Sequence, residues 1–357
     1  MAETSLPGTT LAAADAGIVE KMWSGELLLQ VKRMSFLEKF RGKSKFDILF
    51  EPADISGKVV GDAAHIPLLK SLTGSGQTGD TDLEGNEEAM VYSITQMTFD
   101  QNKHGVKLAG NFEETKTRLN MRTDAKEQLG DWMARLQDSK IYTALQTSGA
   151  IANMNGSISS TLNVLFAGNA IEWDGLSSGD TISVAFIRKL KRYAAMRGIR
   201  PAKLDDGRSK YALVISQEQE YDLVRSAGYD EAQRHGNVRG ESNPIFSGAL
   251  SDIDGVVIHT DMLTVGGGNA ATYLLNEDKD SHRNVQALLL GAQAGAFAYT
   301  KTPGWREKMF DYGWKYGIAT NVIMGACKPV INLGTVAVPS TRDYGLCYAC
   351  TGATKLV

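Results

Sequence analysis

Between Ser71 and Phe99 the chain carries five acids (Asp80, Asp82, Glu84, Glu87 and Glu88) and neither lysine nor arginine. Residues that alternate apolar and polar flank the acids on both sides. Lys58-Val-Val-Gly with His65-Ile-Pro-Leu-Leu reads as one strand, and Met90-Val-Tyr-Ser-Ile-Thr-Gln-Met-Thr-Phe as its return. Thr73 to Glu88, rich in glycine, is then the tip of a long β-hairpin, with Gly74, Gly76 and Gly79 supplying backbone freedom. At about 3.3 Å per residue, such arms reach tens of ångströms from the body that carries them. An isolated two-stranded ribbon is only marginally stable in water. The ribbon therefore needs a surface to lie on, and the expectation is an adjacent copy of the same polypeptide.

On the N-terminal side, Lys32 to Lys45 holds six bases (Lys32, Arg33, Lys39, Arg41, Lys43, Lys45) against one acid, Glu38. With few apolar residues around it, this stretch reads as an extended arm with one short helix. On the C-terminal side a helical period takes over from about Asn111 to Leu145, through Ala125, Leu129, Trp132, Met133, Leu136, Ile141 and Leu145. Asn111 with Glu114 would form its capping box. About 30 residues at 1.5 Å rise make a rod of about 45 Å, a spine for the fold.

Strands and helices then alternate. Asp180 can cap a helix whose Ile182, Phe186, Leu190, Tyr193 and Ala194 share a face; Tyr211 to Ser216 is a buried strand, and Ser216 caps a helix reaching about Ala227. Gly255 to His259, Thr272 to Leu275 and Ala287 to Gly291 read as further buried strands, and Tyr316 to Lys328 as a last long one before a C-terminal tail.

Motifs for enzymatic chemistry fail at their strongest positions. Gly74-Ser-Gly-Gln-Thr-Gly79 has the spacing of a phosphate loop, but Asp80 stands where a lysine must hold the phosphate. Asp80, Asp82 and Glu84 start like a calcium loop, whose twelfth position, needing a bidentate glutamate, is Val91. Cys347-Tyr-Ala-Cys350 has redox or half-zinc spacing, yet no second pair accompanies it, and the five histidines are scattered. Cys327, Cys347 and Cys350 are expected as reduced thiols, and His259 as a satisfied core or boundary residue. No catalytic, cofactor-binding or metal-ligating residue is assigned. A net charge of −3 excludes nucleic-acid binding by bulk attraction, so any DNA contact is local. Neither a secretory leader nor a membrane-spanning run is expected.

Four stretches resemble a known family. They are Leu72 to Asp80 with Leu83-Glu-Gly-Asn-Glu-Glu88; Asn243-Pro-Ile-Phe-Ser-Gly-Ala-Leu250 with Asp254-Gly-Val-Val-Ile-His259; Ala287-Leu-Leu-Leu-Gly-Ala-Gln293; and Phe310-Asp-Tyr-Gly313 with Lys315-Tyr-Gly-Ile-Ala319. In this order the chain resembles the N4-like major capsid protein family of tailed phages, a branch of the Hong Kong 97-type capsid fold. Trp314 stands where the family pattern suggests a small polar residue, and the cysteine-bearing tail is a second departure.

The resemblance implies an α+β subunit: an N-terminal arm (residues 1–46), an extended β-hairpin loop with flanking strands (47–108), a peripheral domain with the spine helix (109–150), a mainly axial α/β domain (151–310), and return strands of the peripheral domain with the C-terminal tail (311–357). It implies self-assembly into hexamers and pentamers of an icosahedral virion shell around double-stranded DNA, made in a bacterial cytoplasm. A separate scaffolding protein, a portal and a decoration protein are the expected partners, with no membrane and no cofactor. The hairpin tip is expected to meet a basic surface of a neighbour, for which the arm is the first candidate, or else the arm faces DNA. Other readings from the residues are an α/β enzyme using residues 180–300 and an encapsulin-type compartment.

Overall fold

In the computed structural model, the described residues are 23–52, 63–69, 72, 76–80, 82–108, 116, 121–146, 162–203, 209–229, 250–261, 276–279, 281–332 and 341–355. Lys58 to Gly61, Gly74, the Asn111 and Glu114 cap, Asn243 to Gly248 and the expected strand at Thr272 to Leu275 lie outside them.

The N-terminal part is more regular than the expected arm. Helix α1 (residues 23–34) leads through a 3-10 turn at Leu37–Phe40 into short strands β1 (Arg41–Gly42) and β2 (Leu49–Phe50). Leu27, Val31, Leu37, Phe40, Ile48 and Leu49 are all buried. Six apolar residues spaced for helix and strand suffice to dock a segment that cannot fold alone, each contributing about 1.5–3 kcal/mol when fully covered.

The hairpin forms as the alternation requires. Strands β3 (Ala63–Leu69) and β4 (Tyr92–Thr98) pair antiparallel, Ala63 opposite Thr98 and Leu69 opposite Tyr92. Ile66, Leu68, Thr95 and Met97 turn to one buried face, where Ile66 and Met97 pack with Ala296, Ala298 and Cys327. After Phe99 the chain continues as β5 (Asp100–Lys107), which leads towards the spine helix α2 (Met121–Leu145). Along α2 the buried positions 125, 129, 133, 137, 141 and 145 recur every fourth residue and present one stripe to the sheet.

Next come β6 (Val164–Phe166), helix α3 (Val184–Met196), β7 (Ala202–Lys203), β8 (Ser209–Ile215), helix α4 (Gln217–Arg225), β9 (Ser251–Ile253), β10 (Val256–Thr260), β11 (Asn276–Asp278) and β12 (His282–Leu290). The long strands β13 (Gly295–Phe310) and β14 (Lys315–Cys327) follow, then β15 (Val330–Asn332), β16 (Thr341–Asp343) and β17 (Leu346–Thr354). Among the described residues two larger sheets result. One has five strands in the order β1-β2-β13-β14-β5; the other has the path β6-β17-β12-β8-β10-β9, with β11 on β12 and β7 on β8.

The second sheet is mixed. β8 and β10 run parallel, as do β6 and β17, while β12 lies antiparallel to both β8 and β17. Strands covered on both faces need no polar alternation, which is why Ala287 to Leu290 and Leu346 to Cys350 are uninterrupted apolar runs, all buried. The segment expected as a C-terminal tail is thus β17, a central strand. Gly345 and Gly291 bring its start against the preceding turn: Gly291 N donates to Gly345 O at 2.8 Å. A Cβ on Gly345 would sit 2.7 Å from Ala294 N and against Ala292 O.

Helix α4 carries the expected cap. Ser216 Oγ accepts from Gln219 N and Gln219 Oε1 accepts from Ser216 N, a reciprocal capping box. For α3 the cap is Ser183, with Oγ accepting from Phe186 N at 3.3 Å, and not Asp180. Ser183 is the extended residue next to the first helical one; Asp180 lies a turn too early and instead accepts from Ser177 N and Oγ.

Candidate interaction surfaces

The ribbon tip is exposed throughout its described residues. Gly76, Gly79 and Gly85 adopt φ of 70°, 72° and 85°, and a Cβ on any of them would meet nothing within 4 Å. These glycines are therefore required for backbone handedness, not for space. The turn at 82–87 holds itself: Asn86 N donates to Leu83 O, Asn86 Nδ2 to Asp82 O, and Gly85 N to Glu87 Oε2. Asp80, Asp82, Glu84, Glu87 and Glu88 are exposed. So are large apolar side chains beside them, Leu83, Met90, Tyr92 and Ile94 among others. The paired strands of the ribbon are pinned along their length to their own subunit, with Val330 N donating to Thr95 Oγ1 and, towards the tip, Asn332 N to Ser93 Oγ.

The basic stretch divides. Lys32, Arg33, Lys39, Lys43 and Lys45 are exposed, and Arg41 alone is half-buried and used inside the subunit. The Arg41 guanidinium pairs with Glu38 at 2.9 Å and Glu51 at 2.8 Å, its carbon 5.3 and 5.0 Å from the Phe297 and Tyr299 rings. The Lys39 ammonium sits 3.8 Å from the Phe36 ring centre and 3.2 Å from His259 Nδ1. Burial draws its pKa down to about 8 against the pull of Asp261 and Asp138. Of the six bases expected outward the arm therefore exposes five, with Arg41 drawn in and the Lys39 ammonium held against Phe36 and His259, because its apolar residues fold it against the core. His259, 5% exposed and edge-on to Phe40, is a core residue, the first of the two structural readings expected for it.

A buried polar cluster fastens this segment to the spine. Asp138 of α2, 1% exposed, accepts from Ser35 Oγ at 2.6 Å, Phe36 N at 2.9 Å and Leu37 N at 3.2 Å. Its carboxylate thus caps the 3-10 turn from another element. Burial raises its pKa to about 6, the three donors opposing and Asp261 reinforcing the shift. One turn further along, Tyr142 Oη donates to Asp261 Oδ2 at 2.6 Å. The helical period through Leu136 and Ile141 does not single out Gln137 and Asp138; two polar residues at positions that the period buries are the signal that marks them.

A second protruding surface was not anticipated as one. The connection between β13 and β14 exposes Met309, Tyr312 and Trp314, with Tyr312 fully open to solvent. Asp311 and Tyr312 both hold positive φ, 54° and 52°, a conformation that costs a non-glycine residue about 1–2 kcal/mol. Asp311 O accepts from Trp314 N at 3.0 Å and the Asp311 carboxylate pairs with Lys315 at 3.2 Å, locking the turn. Phe310 lies over Gly317, where a Cβ would come within 2.5 Å of its ring, and the ammoniums of Lys107 and Lys308 flank that ring at 5.2 and 5.1 Å. Alongside, a cavity of about 550 Å³ opens between α2 and β5, lined by His104, Leu108, Leu129 and Trp132 among others.

The cysteines are buried free thiols. Burial lifts Cys327 to about 12 and Cys347 and Cys350 above the ordinary thiol range, so none is a ready nucleophile or thiolate ligand at neutral pH. Among the described residues no group of three His, Cys, Asp or Glu side chains is arranged to hold a metal ion, and no helix is long and apolar enough to cross a membrane.

The family model described as phage capsid protein matches residues 10–352. The major capsid protein of Pseudomonas phage KPP25 is 28% identical over 335 residues, covering 86% of this chain and 88% of that protein. Among solved structures, the capsid of Ralstonia phage GP4 has a TM-score of 0.73 at 24% identity, covering 90% of this chain and 92% of that one. The cyanophage Pam1 capsid asymmetric unit has a TM-score of 0.67 at 19% identity, covering 91% and 93%.

Proposed function

The chain belongs to the phage capsid protein family and has the Hong Kong 97-type capsid fold, and from that premise we propose that it is the major capsid protein of a tailed phage of the N4-like branch. Copies associate into hexamers and pentamers and close an icosahedral shell around double-stranded DNA. The match along nearly the whole chain carries this reading.

The surfaces support it physically. A ribbon whose paired strands lie on the subunit and whose tip exposes apolar and acidic residues is what self-association needs, since a shell subunit acts through large complementary surfaces and not through a pocket. The assignment to the N4-like branch rests on Leu83-Glu-Gly-Asn-Glu-Glu88 and the other stretches quoted above. The five-part division into arm, extended loop, peripheral and axial domains, and C-terminal segment belongs to the same proposal. Scaffolding from a separate protein, a portal and a decoration protein complete the expected partners, and the outward Lys32, Arg33, Lys43 and Lys45 supply a local basic surface for a neighbour or for packaged DNA.

Velocity sedimentation and negative-stain microscopy of the expressed chain, with and without the scaffolding protein of its phage, test the proposal. Closed particles in the megadalton range are expected. A stable small species in both conditions overturns it and favours the enzyme reading.

A further inference from the structure

From Thr181 to Leu204 the chain carries seven bases and no acid, although its net charge is −3. The period of α3 sorts them. Phe186, Ile187, Leu190 and Ala194 are buried in the core, while Arg188, Lys189 and Arg192 lie on the solvent side. Arg197, Arg200 and Lys203 follow as the chain leaves the helix, the last two exposed. Neutralisation is confined to one edge, where the Asp254 carboxylate pairs with Arg188 at 2.6 Å and Asp254 O accepts from Lys191 Nζ. Among the described residues no carboxylate pairs with Lys189, Arg192, Arg197, Arg200 or Lys203. Like charges also stand together: burial, and then the Arg197 guanidinium, draws the pKa of half-buried Arg342 down.

Backbone hydrogen bonds bring a second basic turn, remote in sequence, alongside. Lys203 N donates to Phe46 O at 3.1 Å, and Ala292 N to Arg200 O and Gln293 N to Asp47 O, both at 2.8 Å. The Lys203 ammonium lies 4.5 Å from the centre of the Phe46 ring, so exposed Lys43 and Lys45 belong to the neighbouring loop. That loop is held rigid, with Asp47 N donating to Ser44 O at 3.1 Å and Ser44 N to Asp47 Oδ2 at 2.7 Å. Its own acid is thereby used within the turn, and little freedom is lost when a partner covers the lysines.

The apolar content of this face selects the partner. A protein is held by apolar and aromatic anchors at the centre of a contact. Among the described residues from 43 to 46 and 184 to 203, the exposed large apolar side chains are Phe46 and Met196, and the Lys203 ammonium covers the Phe46 ring. A DNA duplex, with a phosphate charge every 1.7 Å or so of its axis, is held by bases alone. The 13 residues of α3 measure about 20 Å, roughly the rise of six base pairs.

We propose that the solvent side of α3, with the turn at 43–46, is a sequence-independent binding face for the phosphate backbone of duplex DNA; this rests on the reading of the chain as a shell subunit that encloses DNA. The arm's contribution to the face is Lys43 and Lys45, and Lys32 and Arg33 lie outside it.

Fluorescence anisotropy of a labelled duplex of about 30 base pairs, titrated with the unassembled full chain from about 50 to about 200 mM salt, tests this. Neutralising about five phosphates gives log K a slope of about −4.5 against log salt, the same for a duplex of different sequence. Lys189→Glu with Arg192→Glu and Lys203→Glu should weaken binding at least about tenfold at the lowest salt and flatten the slope by about 2.7. Lys32→Glu with Arg33→Glu should change affinity less than about twofold. All five side chains are exposed, so both variants should unfold thermally as wild type does. Loss in the first variant and not in the second supports the proposal. Absence of duplex binding by wild type, equal loss in both variants, or α3-dependent binding of poly-L-glutamate with none of the duplex overturns it, the last in favour of an acidic protein partner. Those results leave the capsid reading intact as long as wild type forms closed particles; absence of particles overturns that reading itself.

Discussion

Replacing Asp138 with asparagine asks whether a buried charge holds the N-terminal segment to the spine helix. The carboxylate accepts three hydrogen bonds, from Ser35 Oγ, Phe36 N and Leu37 N, and is 1% exposed. Burial is the largest influence on it and lifts its pKa from 3.8 to about 6. Because the folded value lies above the unfolded one, the folded chain holds an extra proton between about pH 4 and pH 6. The stability this carboxyl contributes is therefore complete below pH 3.8 and is lost as pH rises through 6. The gap of about two pK steps corresponds to about 3 kcal/mol. Asparagine stays neutral across that range, but its single acceptor oxygen cannot serve all three donors, and one buried amide left unpaired costs about 1–3 kcal/mol. The variant should thus be about 1–3 kcal/mol less stable than wild type at pH 4 and equal to it or more stable at pH 7. Urea unfolding of unassembled subunits, followed by tryptophan fluorescence from pH 4 to pH 7.5, measures the difference directly. A difference that does not change with pH refutes the reasoning.

Three further outcomes follow from individual residues. Asp80→Lys with Asp82→Lys and Glu84→Lys should abolish particles seen by electron microscopy while moving subunit stability by no more than about 0.5 kcal/mol, since all three side chains are exposed; normal particles would contradict the role given to the tip. Gly345→Ala, whose Cβ would meet backbone at Ala292 and Ala294, should destabilise by about 1–3 kcal/mol in thermal unfolding, whereas Gly25→Ala in α1, with nothing within 4 Å, should stabilise by about 0.5–1 kcal/mol. Maleimide at pH 7.5 should leave Cys347 and Cys350 unmodified until the chain unfolds, as judged by mass spectrometry, because both are fully buried and their thiols are held protonated.

What the sequence shows well is whatever depends on a local period or on a side chain bonding its own neighbourhood. The pairing of the two ribbon strands, the apolar run of β8 and the Ser216 cap are of this kind. The cap of α3 was harder to place, because Asp180 and Ser183 both satisfy the capping chemistry and only the position of the first helical residue separates them. Long-range partners were not legible. Arg41 reads as an outward base until Glu51 and the Phe297 and Tyr299 rings are brought around it, and Asp138 reads as a gap in an apolar stripe until Ser35 arrives from 103 residues away. The segment after Lys328 reads as a C-terminal tail, yet the alternation-free run from Leu346 to Cys350 is the mark of a strand covered on both faces. Tyr312 was quoted only as part of a family stretch. Its exposure comes from two consecutive positive-φ residues, a conformation no residue in Phe310-Asp-Tyr-Gly announces before Gly313.

The most direct measurement is an electron cryo-microscopy reconstruction, at side-chain resolution, of particles formed by this chain. The described tip residues 76–80 and 82–91 of each copy should cross onto an adjacent copy, with Asp80, Asp82 and Glu84 against a basic surface of that copy. Density in which every ribbon folds back on its own subunit, with the tip open to solvent, would contradict the central claim.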